Sequence, residues 1–173
     1  NRKTFMNKKT DLDILAHGMF KSISLLCRKH KITFCLEANA EIYKTKYLTH
    51  TSDAINLAKK GIDVILTYRS NKEQADNVVT EIQAIGQKAI AYQLDTSKIA
   101  TFDAFITQVT NHLQEHTGSP NFDFLINNAG TALYAPFIET TEEQFDEMLN
   151  IHLKGVFFLT QKAVPFINKG GRI

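Results

Sequence analysis

Beyond residue 53, apolar side chains recur alternately at strand spacing and at helix spacing, and the alternation repeats at short, regular intervals. Three runs of β-branched and other apolar residues predict buried strands at 62–68, 88–94 and 122–127. Amphipathic stripes precede, separate and follow these runs, which gives the order α-β-α-β-α-β-α. Because helices between strands act as crossovers, this order predicts an α/β fold: a doubly wound parallel sheet with helices on both faces.

The helix stripes are spaced at three or four residues. Their apolar positions are Ala54, Ile55, Leu57 and Ala58; Ala75, Val78, Val79, Ile82 and Ile85; Phe102, Phe105, Ile106, Val109 and Leu113; and Phe145, Leu149, His152, Val156, Leu159 and Ala163. Two capping boxes predict helix starts, one at Ser70 with Glu73 and one at Thr140 with Glu143. Gly61 and Gly86 are expected to end the first two helices, and Pro165 helps to end the last.

Residues 1–52 do not follow this alternation and predict a separate, poorly specified basic leader, whereas 53–173 predict the folded domain. The leader holds 10 Lys and Arg against 4 Asp and Glu. A basic segment can bind nucleic acid or a membrane, but this one lacks an arginine cluster and an interleaved aromatic stripe. We therefore expect a solvated segment, with a weak helix at 12–27, and no nucleic-acid or membrane partner. The first residue is Asn rather than Met, so we expect the true start elsewhere.

Two cysteines, Cys27 and Cys35, are too few for a disulfide framework and agree with a reducing compartment. His30 lies between them, and His17 and His50 flank them, but the spacing matches no zinc pattern. Buried thiols and surface histidines are the simpler interpretation, so no metal is predicted. No apolar run is long enough to span a membrane and no secretory signal opens the chain, which favours the cytoplasm.

Small polar residues follow each of the three predicted strands. They are Arg69 and Ser70 after the first, Asp95 and Thr96 after the second, and Asn127, Asn128, Ala129 and Gly130 after the third. In a doubly wound sheet, ligands bind beyond the carboxyl ends of the strands. Singly, these residues are explained as a solvated charge, a helix cap and a turn. Occurring together at three strand ends, they favour a binding site.

A dinucleotide gives each of these residues a use. A carboxylate after the first strand would accept from a ribose 2′-hydroxyl, whereas Arg69 suits a 2′-phosphate and favours NADP over NAD. Asp95 can accept from an adenine amino group, and Asn127 can brace the end of its strand. Ala129 and Gly130 leave room for a ribose or a nicotinamide near the backbone.

The run from residue 54 to 173, about 120 of the 173 residues, resembles the short-chain dehydrogenase/reductase family. LAKKGIDVILTYRS, LDTS, the Asn-Asn-Ala-Gly motif and LKGVFFLTQ resemble its landmarks in order and spacing. The resemblance implies a Rossmann-like domain and reversible hydride transfer between NADP(H) and a small carbonyl or alcohol substrate. It also implies cofactor contacts: Arg69 and Ser70 at the 2′-phosphate, Asp95 and Thr96 at the adenine, and Asn127, Ala129 and Gly130 at the ribose and nicotinamide.

The chain departs from the family at two ends of the domain. No glycine occurs between Gly18 and Gly61, so the glycine-rich turn is absent and LTHTSDAIN stands at 48–56 in its place. The family's first strand, which lies at the sheet centre, would have to come from 31–37 or 43–49. The chain stops at 170–173, where the next strand is expected to start, and the family's catalytic serine and Tyr-x-x-x-Lys pair would lie further on. Tyr68 to Lys72 matches that pair by chance, because it lies upstream of the Asn-Asn-Ala-Gly motif.

His152 stands where the family has a catalytic asparagine, before Leu-Lys-Gly. It lies on the apolar stripe of the last helix and is therefore expected to point inward. It is then either a core histidine bonded to a backbone carbonyl or a substitute in the proton relay that titrates near neutrality.

Two further interpretations compete with that of an NADP-dependent oxidoreductase fragment that turns over nothing by itself. One is a degenerate, non-catalytic nucleotide-fold module with a binding or structural role. The other is a phosphate-independent regulatory domain, in which Arg69 and Asp95 share no ligand. The resemblance implies a homo-oligomer for a full-length protein, and the sequence does not identify the substrate.

Overall fold

A five-stranded, all-parallel sheet organises the part of the protein that the computed structural model describes, which is residues 33–37 and 51–173. Only the backbone is described at 33–37 and 51–53. The strands are β1 (Thr33–Glu37), β2 (Asp63–Tyr68), β3 (Ala89–Gln93), β4 (Phe122–Ile126) and β5 (Ile167–Arg172). Their spatial order is β3-β2-β1-β4-β5, the doubly wound arrangement that the alternating sequence pattern predicts.

Within the described residues, five α-helices connect the strands. They are α1 (Thr51–Ala58), α2 (Lys72–Ala84), α3 (Phe102–Thr117), α4 (Glu142–Leu149) and α5 (Val156–Ala163). A π-helical segment, Asn150–Gly155, joins α4 to α5, so the three form one long helical element. Short 3₁₀ turns lie at Ile99–Thr101, Phe137–Glu139 and Val164–Phe166.

The sheet separates two hydrophobic clusters, because successive strand residues point to opposite faces. Val64 and Leu66 of β2 pack with α1 and α2 on one face. Ile65, between them in the sequence, packs on the other face with Leu125 of β4 and with α3 and α5. The stripe of α3 is buried throughout, and Phe102 has no exposed surface. The three-layer arrangement predicted from the sequence is thus confirmed for the described residues.

The central strand β1 comes from one of the two segments that the sequence offered for it, 31–37. It pairs with β2 on one side and with β4 on the other, with Cys35 opposite both Ile65 and Leu125. The alternative segment, 43–49, lies outside the described residues, as does the predicted helix at 12–27. Residues 33–37 therefore join the sheet although they fall inside the stretch 1–52 that the sequence sets apart. Of the metal candidates, Cys27, His17, His30 and His50 lie outside the described residues.

Two predicted caps are wrong by one residue. Helix α2 is capped by Asn71, whose side chain accepts from the Gln74 backbone N–H at 3.0 Å. Helix α4 begins with a capping box of Thr141 and Gln144 rather than Thr140 and Glu143. Serine, asparagine and threonine are all favoured as N-caps, so two neighbours of these types are both plausible caps from sequence alone. For α2 the shift leaves Ser70 outside the helix, at the strand end.

The last strand begins earlier than predicted, since the sequence placed its start at 170–173. Strand β5 begins at Ile167 and pairs with β4 through an irregular register. Gly171 permits this approach, because a Cβ there would lie 2.5 Å from the carbonyl oxygen of Asp123. Glycines at 170 and 171 indicate a loop from sequence, whereas here both lie in a strand and Gly171 allows the close packing of two strands.

The predicted apolar stripe of the last helix is wrong at Phe145, Leu149 and His152, which are exposed, and correct at Leu159 and Ala163, which are buried. The buried residues of the long element are Ile151, Gly155, Leu159 and Ala163, each four apart, whereas Phe145 and Leu149 are exposed. A π-helical turn holds more residues than an α-helical turn, so positions before and after it that α-helical spacing would place on one face lie on different faces. His152 consequently lies on the exposed side of the element.

Candidate functional site

The polar residues after β2 and β3 lie side by side at the carboxyl edge of the sheet. The Leu94 backbone N–H donates to the carbonyl of Tyr68 at 3.0 Å. The side-chain amide of Gln93 donates to the carbonyl of Arg69, also at 3.0 Å. These bonds continue the pairing of the two strands beyond their ends. They therefore fix the backbone of Arg69 beside that of Asp95.

The guanidinium of Arg69 lies between two carboxylates that come from different elements. Its Nε is 3.7 Å from Oδ2 of Asp95, in the loop after β3, and its Nη2 is 3.6 Å from Oε1 of Glu147, on α4. Asp95 is the most shielded of the three, at 20% exposed, while Arg69 and Glu147 are 55% and 51% exposed. A second cation, Lys98, has its Nζ 3.7 Å from Oδ2 of Asp95. Of the described residues, the site therefore includes two cations and two carboxylates.

Asp95 is held in its ionised form. Burial alone would raise the pKa of this carboxyl, but hydrogen bonds and nearby cations outweigh burial and bring the pKa below its ordinary value. Ser97 donates to Oδ1 twice, from its hydroxyl at 2.7 Å and from its backbone N–H at 3.1 Å. Arg69 and Lys98 add the favourable charges. Asp95 can thus act only as an acceptor, as a contact with an amino group requires.

The loop that carries Asp95 rests directly on the π-helical segment. Thr96 is buried, and a Cβ built on Gly155 would overlap its carbonyl oxygen. Only glycine leaves enough room for this contact between two backbones. The position of the predicted adenine contacts thus depends on a residue in another motif, LKGVFFLTQ.

At the end of β4, Asn127 connects the sheet to α5. Its amide nitrogen donates to the hydroxyl of Thr160 at 3.0 Å. The side chain braces the end of the strand, as the sequence predicts, whereas its contact with a ribose stays a prediction. Ala129 and Gly130 follow in the loop after β4 and are half-buried.

His152 holds the loop that follows the Asn-Asn-Ala-Gly motif. Its Nε2 lies 2.7 Å from the carbonyl oxygen of Thr131 and 3.3 Å from the backbone nitrogen of the same residue. A carbonyl can only accept, so the shorter contact requires the proton on Nε2. The expectation that His152 points inward is therefore wrong, since its ring contacts a surface loop. Its part in a proton relay stays a prediction.

A cleft of 380 Å³ opens at the opposite, amino-terminal edge of the sheet and contains none of the predicted site residues. Its wall includes His112 and His116, whose rings stack at 4.1 Å between centroids, and Lys88. Burial, together with the charges of His116 and Lys88, lowers the pKa of His112, although Glu115 opposes the shift. His112 is thus kept neutral in the folded chain more strongly than a free histidine.

Within 33–37 and 51–173, no three His, Cys, Asp or Glu side chains come close enough together to hold a metal ion. None of the helices described there has the length and apolarity needed to cross a bilayer.

Several residues of this edge are not among the site residues predicted from the sequence. They are Gln93, Ser97, Glu147, Gly155 and Thr160. Gly155 and Thr160 belong to the quoted LKGVFFLTQ stretch, and Ser97 follows Asp95 at the distance of a side-chain turn, so those three carry a detectable signal. Gln93 and Glu147 give none, because ordinary surface residues of strands and helices look the same.

The sequence and the architecture of this chain match those of proteins of one family. A family model described as short chain dehydrogenase matches residues 51–173. The hydroxynaphthalene reductase-like protein Arp2 of Metarhizium guizhouense is 32% identical over 120 residues, which are 69% of this chain and 43% of that protein. The tetrahydroxynaphthalene reductase PfmaG of Pestalotiopsis fici is 34% identical over 120 residues, 69% of this chain and 41% of that protein.

Solved structures of this family have the same fold as this chain. The short-chain dehydrogenase/reductase of Serratia marcescens superposes with a TM-score of 0.68 at 26% identity, covering 82% of this chain and 53% of that one. The angucycline C-6 ketoreductase LanV with bound NADP gives a TM-score of 0.72 at 26% identity, covering 83% and 53%. This chain spans less than half of the length of the curated relatives it matches. It belongs to the short-chain dehydrogenase family.

Proposed function

We propose that this chain is the cofactor-binding part of an NADP(H)-dependent oxidoreductase that interconverts a carbonyl and an alcohol. The observation that carries the proposal is the pair Arg69 and Ser70, directly after β2 at the carboxyl edge of the sheet. A residue at this position meets the 2′ substituent of the adenine ribose in doubly wound dinucleotide-binding folds. A guanidinium suits a phosphate there, whereas a carboxylate would suit a hydroxyl.

The donor set fits the adenosine end of such a cofactor. Arg69 supplies a planar fork of N–H groups and more than half of its side chain is exposed, so a phosphate can reach it. Ser70 is exposed and lies after the end of β2, before the residue that caps α2. Asp95 supplies an ionised acceptor for an amino group. The relatives support the choice of NADP, since LanV is described with bound NADP and a metagenomic blue fluorescent protein with NADPH.

The chain's own residues would bind and orient rather than react. The nicotinamide, when bound, would supply or accept the hydride. Arg69 would hold the 2′-phosphate, Asp95 and Thr96 the adenine side, and the backbone from Asn127 to Gly130 would border the ribose and nicotinamide. His152 would keep the loop at 131 in place through the hydrogen bond that its Nε2–H donates to the Thr131 carbonyl. We expect the 173-residue chain to turn over no substrate, because the family's tyrosine and lysine are not among these residues.

Binding of cofactor fragments to the 173-residue chain tests the proposal without any turnover. Isothermal titration calorimetry compares adenosine 2′,5′-bisphosphate with adenosine 5′-monophosphate. We expect the bisphosphate to bind more tightly by about tenfold or more, because charge-assisted bonds to a phosphate are worth about 1.5–3 kcal/mol. Arg69→Gln should abolish the difference.

The matched control is Lys72→Gln, which removes a cation three residues away. Lys72 is paired with Asp76 on the same helix face and is not part of the site. An unchanged preference in Arg69→Gln, or an equal loss in Lys72→Gln, would overturn the proposal. The first outcome would favour the phosphate-independent regulatory domain.

A homo-oligomer is proposed for the whole protein. Large apolar side chains are exposed on the loop after β4 and on the long helical element, among them Phe137 at 94%, Ile138 at 89% and Phe157 at 60%. Exposed apolar residues of this size are costly in water and commonly mark contact surfaces. Cytoplasmic location stays a prediction from the sequence.

A further inference from the structure

A glutamate of α4 occupies the face of Arg69 that the proposed 2′-phosphate would need. Glu147 Oε1 lies 3.6 Å from Nη2 of Arg69, and half of its side chain is exposed. The terminal nitrogens of a guanidinium are the ones that bind a phosphate in the two-pronged geometry. A phosphate bound there would therefore compete with Glu147 for the same N–H groups.

The two carboxylates around Arg69 are not equivalent. Asp95 is satisfied in several ways, by Ser97 and by the second cation Lys98 as well as by Arg69. Glu147, by contrast, forms its ion pair among the described residues with Arg69. It also projects from a different element, since α4 precedes the π-helical segment while Asp95 follows β3. Glu147 can thus release Arg69 without disturbing the loop that holds Asp95.

We propose that Glu147 is a specificity-determining residue that weakens the preference of this site for a 2′-phosphate. It pairs with Arg69 when no phosphate is present, and its negative charge repels a phosphate that takes its place. A cofactor without the 2′-phosphate meets neither effect. This inference rests on the proposed NADP(H) function and names a control on its selectivity.

The effect should be moderate, because both partners are exposed. Exposed ion pairs contribute little and are screened by salt. We expect Glu147→Gln to tighten binding of adenosine 2′,5′-bisphosphate by about threefold to tenfold at low ionic strength, where tenfold corresponds to about 1.4 kcal/mol. Binding of adenosine 5′-monophosphate should change by less than about twofold. The gain should shrink as salt is raised.

Calorimetry on the 173-residue chain measures these affinities, with thermal unfolding by circular dichroism as the check on folding. The control is Asp146→Asn, which removes one negative charge from the neighbouring exposed position of α4. Equal gains in Asp146→Asn and Glu147→Gln would overturn the inference, since net charge alone would then explain them. In an Arg69→Gln background, Glu147→Gln should give a clearly smaller gain, because the competition for the guanidinium is gone.

The outcomes separate this inference from the function beneath it. If the chain prefers the bisphosphate, Arg69→Gln removes the preference and Glu147→Gln changes nothing, the inference is wrong and the NADP(H) function stands. If the chain binds both fragments equally and neither substitution matters, both are wrong. Selective tightening in Glu147→Gln supports both.

Discussion

Replacing Gly155 with alanine should disrupt the contact between the long helical element and the loop after β3. A Cβ at this position would overlap the Thr96 carbonyl oxygen and lie 2.8 Å from that of Asn150. Both obstacles are backbone atoms, so no side-chain rotation relieves them. The Thr96 carbonyl would have to move by about 1 Å to regain ordinary van der Waals contact.

Two effects of opposite sign decide how much Gly155→Ala changes the free energy of unfolding. Alanine is favoured over glycine inside a helix by about 1 kcal/mol. Overpacking of a close contact costs about 1–3 kcal/mol, and more where the neighbours cannot yield. Because two carbonyls are obstructed and Thr96 is buried, we expect overpacking to win and the free energy of unfolding to fall by about 2 kcal/mol. For a chain of this size that lowers Tm by about 4–8 °C.

Urea unfolding and thermal unfolding, both followed by circular dichroism, measure the loss. Lys154→Ala is the matched control, since Lys154 is the exposed neighbour in the same π-helical turn and should shift Tm by only about 1 °C. Gly155→Ala should also weaken binding of adenosine 2′,5′-bisphosphate, because Thr96 adjoins Asp95. A Gly155→Ala chain as stable as the unchanged one would refute the account of this contact.

Three further predictions concern separate parts of the fold. Thr141→Ala should lower the free energy of unfolding by about 1 kcal/mol through loss of the α4 capping box, while Thr140→Ala should cost far less, as urea titration will measure. Thr160→Val should lower the free energy of unfolding by about 1 kcal/mol, because it removes the acceptor of the Asn127 amide. Thr160→Ser keeps the hydroxyl and should retain most of the stability. Equal losses in the two variants would contradict the hydrogen bond. His112→Gln should flatten the dependence of Tm on pH between about 7.5 and 5.5. The pKa of His112 is lower in the folded chain than in the unfolded chain, so the unfolded chain binds the proton more strongly. The unchanged chain therefore loses stability as the pH is lowered through about 6.5, and the variant should lose less. An unchanged pH profile would exclude that role.

The sheet could be predicted from the sequence because its signals are local and strong. The runs at 62–68, 88–94 and 122–127 are apolar and β-branched, and stripes at helical spacing separate them. The central strand was harder, because 31–37 and 43–49 offered comparable patterns. What selects between such segments is pairing with β2 and β4 on both sides, which depends on residues far away in the chain.

The candidate site could be predicted only in part, because only some of its residues carry a local signal. The ends of the strands can be located from the sequence, and the positions of Arg69, Asp95 and Asn127 are predicted from those ends. The orientation of His152 could not be predicted, because a periodicity of 3.6 residues assumes an α-helix and the π-helical segment breaks it. Glu147 was missed because it meets Arg69 only through the packing of α4 against the sheet edge.

The long helical element is the frame on which the separate parts of the site are aligned. Three contacts connect it to loops at the carboxyl edge: Gly155 to Thr96, His152 to Thr131, and Thr160 to Asn127. They lie within nine positions of one another along the element, so a change in its register would move all three loops together. The π-helical segment sets that register, and its extra residue turns His152 to the loop at 131 while Gly155 faces Thr96. An insertion or deletion in Asn150–Gly155 should therefore weaken cofactor binding, although this stretch contains no proposed cofactor contact.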